Sequence, residues 1–203
     1  SDVVKFSVQG FVKIVDNDTR KVLLDTHNDV LYGNISSALA HSFIGNLDSF
    51  LYYLGFGDGG AYVNIVGVIV YKPSLGGPLS LNKNPTANLY NTIFVKKLSN
   101  DATRSAEYDQ SSRAYVLNNN SSVNYEDILI DVVVNSTEPP VAISPNTLVF
   151  NELGLFAGSD NLFAGGFTQT PADVDNFVTQ LPNFSNTPTS KSKIMITHVV
   201  FDP

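Results

Sequence analysis

The residues with the clearest capacity for chemistry are Asp25-Thr26-His27-Asn28-Asp29. Side chains alternate along an extended strand, so Asp25, His27 and Asp29 would project from one face. Two carboxylates and an imidazole on one face suit a hard cation or a general base. No Glu or second His lies nearby in sequence. The ordinary reading is a strand-to-helix connector whose polar groups bond backbone. Gly55-Phe56-Gly57-Asp58-Gly59-Gly60 has the glycine density of a nucleotide-binding loop. That chemistry needs a helix N-terminus after the loop to receive the phosphate, whereas a strand is predicted here. The run is therefore expected to be a hairpin turn whose glycines supply positive φ. Asp101, Glu107 and Asp109, and Asp173 with Asp175, are further carboxylates. A glycosidase pair must stand about 5–10 Å apart, and no spacing in the sequence brings two of these together. His41 falls on a predicted helix and His198 between apolar residues of a predicted last strand, so both read as packed or interfacial. No serine sits in a nucleophile elbow. Cysteine is absent, which removes disulfides, thiolate metal sites and a cysteine nucleophile. The expectation is a protein without catalytic residues, cofactor or metal, and not an enzyme.

The composition points the same way. Hydrophobic residues make up 43% of the 203, enough for a real core. Only 15% are charged, below the quarter or so usual in globular domains, and Asn, Ser and Thr are abundant. Such a surface loses few ions on association and tolerates large protein–protein contacts. An AT-rich coding genome would enrich Asn as well. The net charge of −7 and pI near 4.7 disfavour a protein that tracks phosphates. No apolar run reaches the roughly 18 residues of a membrane span. Ser1-Asp2-Val3-Val4-Lys5 lacks the basic and apolar blocks of a signal peptide.

These residues must be positioned mostly by strands. Val4–Val15 and Lys21–Leu24 predict strands around an Asp16-Asn17-Asp18-Thr19 turn. Ile35, Ala38, Leu39 and Phe43 fall at helical spacing and predict one short helix over about 34–44, with Asn34 as its N-cap. Phe50–Phe56 and a buried Ala61–Tyr71 run read as a second hairpin around Gly57–Gly60. Asn91–Leu98, Asp127–Val134, Thr147–Phe156 and Lys193–Phe201 are further strands. The two-sided apolarity of Asp127–Val134 fits a central sandwich strand. Thr170-Pro171-Ala172-Asp173 begins a possible short helix through Phe177 and Val178. Residues 99–124 are expected to form a long polar loop. The chain ends just after its last strand, which suggests a swapped or docked final strand or a longer native chain. The fold class expected is mostly β: an antiparallel β-sandwich with one short helix and long loops, in a single β-rich structural domain over 1–203.

Several segments resemble a known group of proteins. His27-Asn28-Asp29-Val30-Leu31-Tyr32-Gly33-Asn34, then Ala38-Leu39-Ala40-His41 and Leu54–Gly60, is similar to the N-terminal half of a set of phage virion proteins. Phe150-Asn151-Glu152-Leu153-Gly154-Leu155-Phe156 resembles a strand common in phage tail-fibre, collar and baseplate proteins. Thr197-His198-Val199-Val200-Phe201-Asp202-Pro203 resembles the strand that follows it in the first set. Together these segments cover about a third of the chain, and residues 99–124 match none of the pattern. The resemblance implies a structural component of a tailed-bacteriophage virion, at the neck, collar or tail. It would act as a ring protein or tail-fibre attachment protein, assembled in the host cytoplasm. Its partners would be copies of itself and other virion structural proteins, with no nucleic acid and no membrane. A ring repeats one heterologous interface until it closes. Tyr90, Tyr108, Tyr115 and Phe163 are interface candidates, because aromatics favour interface centres. Glu152 is expected to be structural, pairing across strands or subunits. The alternative is a receptor- or glycan-binding β-sandwich module of a tail fibre.

Overall fold

The computed structural model describes residues 7–45, 49–77, 81–98, 112–117, 125–134, 138, 149–158, 177 and 193–203, with backbone alone for 112–117. The fold is mostly β, built on one curled antiparallel six-stranded sheet with two smaller two-stranded sheets among the described residues. Strands β1 (Gly10–Val15) and β2 (Val22–Val30) form the first hairpin. Helix α1 spans Tyr32–Phe43. Then come β3 (Phe50–Gly57), β4 (Ala61–Val63), β5 (Ile69–Tyr71) and β6 (Thr92–Lys97). Strands β7 (Ser112–Leu117), β8 (Asp127–Val132), β9 (Glu152–Gly158) and β10 (Lys193–Val200) follow. The main sheet runs β1-β2-β10-β9-β3-β6, so the last strand lies in the interior of the sheet.

The first hairpin forms where the turn chemistry predicts it. Asp16 Oδ1 accepts from the N–H groups of Asp18 and Thr19, closing the connection between β1 and β2. Beyond Val30 the chain leaves the edge of β10 and coils into α1. Leu31 N–H still bonds Ile196 C=O at 2.8 Å. The helix then packs Ala38 and Ile35 against Ala157, Ile194 and Ile196 of the sheet.

A second core forms around Tyr53, Val95, Phe156 and Met195, covered by Ala87, Leu89 and Phe177. Phe177 is helical and fully buried; the rest of the helix expected near it lies outside the described residues. Its ring meets Tyr53 and Phe156 edge-on, with centroids 5.4 and 5.0 Å apart. Burying each such side chain contributes about 1.5–3 kcal/mol. A third cluster joins Phe56, Phe94, Leu153, Val199 and Phe201, with Val132 and Val134 packed on it. Lys96 ties β6 to the segment after β8: its buried ammonium donates to Val133 C=O and meets Glu138 Oε2 at 2.8 Å.

Four expectations need correction. Ala61–Tyr71 is not one buried strand. Asn64 Oδ1 accepts from Val66 and Val68 N–H, and Gly67 adopts φ +81°, so the run folds back as an exposed hairpin. The Asn64 and Gly67 turn chemistry overrides the continuous β-branched pattern. Gly57–Gly60 consequently does not close a hairpin with β3, whose partners are β6 and β9. Among the described residues β8 pairs only with β7, and Leu129 and Val133 face solvent, so it is no central strand. β7 itself lies inside the stretch expected to be loop.

Candidate functional site

Among the described residues, the densest buried chemistry surrounds Glu152, the first residue of β9. Glu152 is fully buried, as is His198 on the neighbouring β10. Glu152 Oε1 accepts from Gly59 N–H at 3.1 Å and Asn91 N–H at 2.9 Å. Oε2 accepts from Tyr90 N–H at 2.9 Å and faces His198 Nε2 at 3.1 Å. The other imidazole nitrogen, Nδ1, accepts from Leu75 N–H at 2.9 Å. An accepting Nδ1 carries no proton, so Nε2 carries it and donates to the carboxylate. Each carboxylate oxygen thus has two donors, which uses the capacity of an ionised glutamate.

The electrostatics follow from this count. Burial pushes the Glu152 carboxyl up, but hydrogen bonds from His198, Asn91 and Tyr90 outweigh it and hold the group below its ordinary value. Gly57 has no room for a side chain, because a Cβ there would strike Glu152 Oε1 and Asn91 C=O. Beside the carboxylate, Asn151 Oδ1 accepts from Gly60 N–H at 2.8 Å. Gly57–Gly60, expected to be a hairpin turn, instead directs the N–H groups of Gly59 and Gly60 to Glu152 and Asn151. The nearest signal was the Glu at the head of an apolar strand, a placement that demands internal partners.

A second polar junction lies at Asn34. Asn34 does not cap the helix, whose N-cap is Leu31; it lies in the first turn and is fully buried. Its amide donates to Met195 C=O at 2.8 Å and Asn84 C=O at 2.9 Å, and accepts from Asn84 N–H at 2.8 Å. It meets the Met195 carbonyl where β2 has left the edge of β10. Gly33 lets the 82–83 backbone approach the helix closer than any Cβ would allow.

The interface candidates separate. Tyr90 is half-buried: its hydroxyl donates to Pro73 C=O at 2.8 Å, and its ring lies 4.4 Å from Lys72 Nζ and edge-on to His198. Burial and the nearby Glu152 charge raise its phenol above the ordinary value. Glu152 is bonded within the chain and exposes no atom to a second subunit. Tyr115 lies in β7 opposite Leu129, with its side chain outside the described part. Tyr108 and Phe163 lie outside the described residues. The Asp25, His27, Asp29 trio lies on β2 itself, and the three do not converge. Asp25 is 4.0 Å from Lys13 Nζ, His27 packs on Phe11 at 4.3 Å, and Asp29 borders Gly76 and Gly77. Among the described residues no group of three or more His, Asp or Glu could hold a metal.

Chemically, the Glu152–His198 pair is a closed junction: both carboxylate oxygens and both ring nitrogens are engaged. An exposed apolar surface lies elsewhere, in the β4–β5 hairpin. No protein family, curated protein or solved structure matches this chain.

Proposed function

We propose that this chain is a structural subunit of a tailed-bacteriophage virion, a ring or fibre-attachment protein of the neck, collar or tail. It works by protein–protein assembly and not by catalysis. The observation that carries this reading is the shared junction of the segments that resemble virion proteins. Glu152 comes from Phe150–Phe156, His198 from Thr197–Pro203, and Gly59 from Leu54–Gly60, yet all three meet at one carboxylate. Asp29, of the His27–Asn34 segment, is the sheet partner of His198. Segments that support one another in a single core read as the framework of one fold, and the three resemblances become one observation. The saturated Glu152 and His198 also favour assembly over acid–base work, since a general base needs a free lone pair within reach of substrate.

Native mass spectrometry of the purified protein over a concentration series tests this reading. A defined homo-oligomer, or capture by other virion proteins, is the expected result. A strict monomer that binds neither itself nor virion proteins overturns it, and a glycan-binding role is then the one to examine.

A further inference from the structure

The β4–β5 hairpin is an arm with an unusual surface. From Ala61 to Tyr71 it contains no charged residue. Tyr62, Val63, Ile65, Val66, Val68 and Ile69 are all more than half exposed, and Ile65 is fully so. Together these six expose an area on the order of the ~800 Å² that each partner buries in a stable interface. Isolated apolar patches on monomers are usually smaller, roughly 300–600 Å². Tyr62 and Val63 are neighbours in one strand, so both faces of the ribbon are apolar.

The arm is also held in shape before any partner arrives. Its root is tied by Lys72 N–H to Gly60 C=O at 2.8 Å, and by Tyr71 Oη to Asp202 Oδ1 at 2.5 Å. Its tip is closed by the two bonds to Asn64 Oδ1. A two-stranded ribbon gains little stability alone in water, and a preorganised one loses little entropy on docking.

We propose that the β4–β5 arm seats on a second copy of this chain, against the outward face of β1–β2. This rests on the assembly reading above. The receiving face carries Phe11, Val15 and Leu23, all exposed. Among the described residues β1 pairs on one side only, so a neighbour's arm can also extend the sheet. Arm and receiver are different patches of one chain, which is the arrangement of a heterologous, ring-forming contact. A chain of net charge −7 is poorly suited to the anionic surfaces of a membrane or nucleic acid, whereas an uncharged arm carries no like charge to a second acidic copy.

The test compares wild type with Ile65→Asp/Val66→Asp by native mass spectrometry and analytical ultracentrifugation. Both side chains are exposed at the tip, so Tm should stay unchanged while the oligomer dissociates at least 100-fold more readily. An oligomer that survives the double substitution overturns the arm proposal and leaves the assembly reading standing. A wild-type chain that stays monomeric but is captured by other virion proteins also overturns the arm proposal alone. If neither self-association nor capture occurs, both fall. Wild type that floats with phosphatidylcholine vesicles as a monomer would assign the arm to lipid and overturn the proposal. The chain lacks cysteine, so mixing Val66→Cys with Leu23→Cys proteins should give one inter-copy disulfide; an intact oligomer with no such cross-link would remove β1–β2 as the receiver.

Discussion

Around Glu152 the chain buries a charge and satisfies it, while in the β4–β5 arm it leaves apolar side chains exposed. The two regions are neighbours. Gly60 donates to Asn151 beside the carboxylate and accepts from Lys72 at the root of the arm. Residue type therefore does not decide burial here; the supply of partners does. Glu152 can be interior because three backbone N–H groups and one imidazole converge on it. The arm's β-branched residues remain outside because Asn64 and Gly67 turn the strand back before it can join the sheet. The closed region supplies stability, and the open one is the contact surface proposed above.

That contrast can be broken most forcefully at the junction. Glu152→Ala leaves the buried His198 ring and three part-buried backbone N–H groups without their acceptor and should cost about 3–5 kcal/mol, read as a fall in the urea midpoint. The folded-state pKa of Glu152 lies below its ordinary value. Its stabilisation is thus present above the unfolded-state pKa and is lost as pH falls through the lower folded value. Wild type should lose stability steeply in that acid range, and Glu152→Ala should show a shallower loss.

Asn34→Ala should cost about 2–4 kcal/mol, because Met195 C=O and Asn84 N–H lose the Asn34 amide and Asn84 C=O keeps only Ala87 N–H. Thermal unfolding followed by circular dichroism checks it. A loss under about 0.5 kcal/mol, the level of an ordinary surface change, would show that Asn34 is not a junction.

Lys193 is the case where burial is less well compensated. It is buried beside Phe177, whose ring centre lies 3.9 Å from Nζ, and bonds Asn88 Oδ1 at 3.3 Å. Burial lowers its pKa from 10.5 to about 7. Between those values the unfolded chain holds the extra proton, so stability should rise with pH across that window, by up to about 1.4 kcal/mol per unit. Lys193→Met should remove that slope and stabilise the protein by about 1–3 kcal/mol at pH 7. The arm-tip substitutions stand at the other extreme, with an expected change in folding stability within about 0.5 kcal/mol. A large loss there would mean that the arm belongs to the core after all.

Much of this was legible in the residue order. Runs of aromatic and β-branched residues announced β3, β6 and β10, the 3.6 period announced α1, and the Asp16 turn marked the first hairpin. These are local signals, produced by backbone geometry within a few residues. Sequence placed a β-rich chain without cysteine and with little charge, and it read Glu152 as structural, His198 as packed or interfacial and Gly57–Gly60 as a turn. The joining of those three required β9 between β3 and β10, a pairing across roughly a hundred residues that no local pattern encodes. The same holds for Asn34, whose amide resembles a cap in sequence and becomes a buried cross-link only when Met195 and Asn84 arrive. Strand exposure was likewise a tertiary decision: Ala61–Tyr71 and Leu153–Ala157 are both strongly apolar, yet only the second lies between two other strands. Hydrophobicity is a property of the residue, but burial depends on which neighbours the topology brings against it.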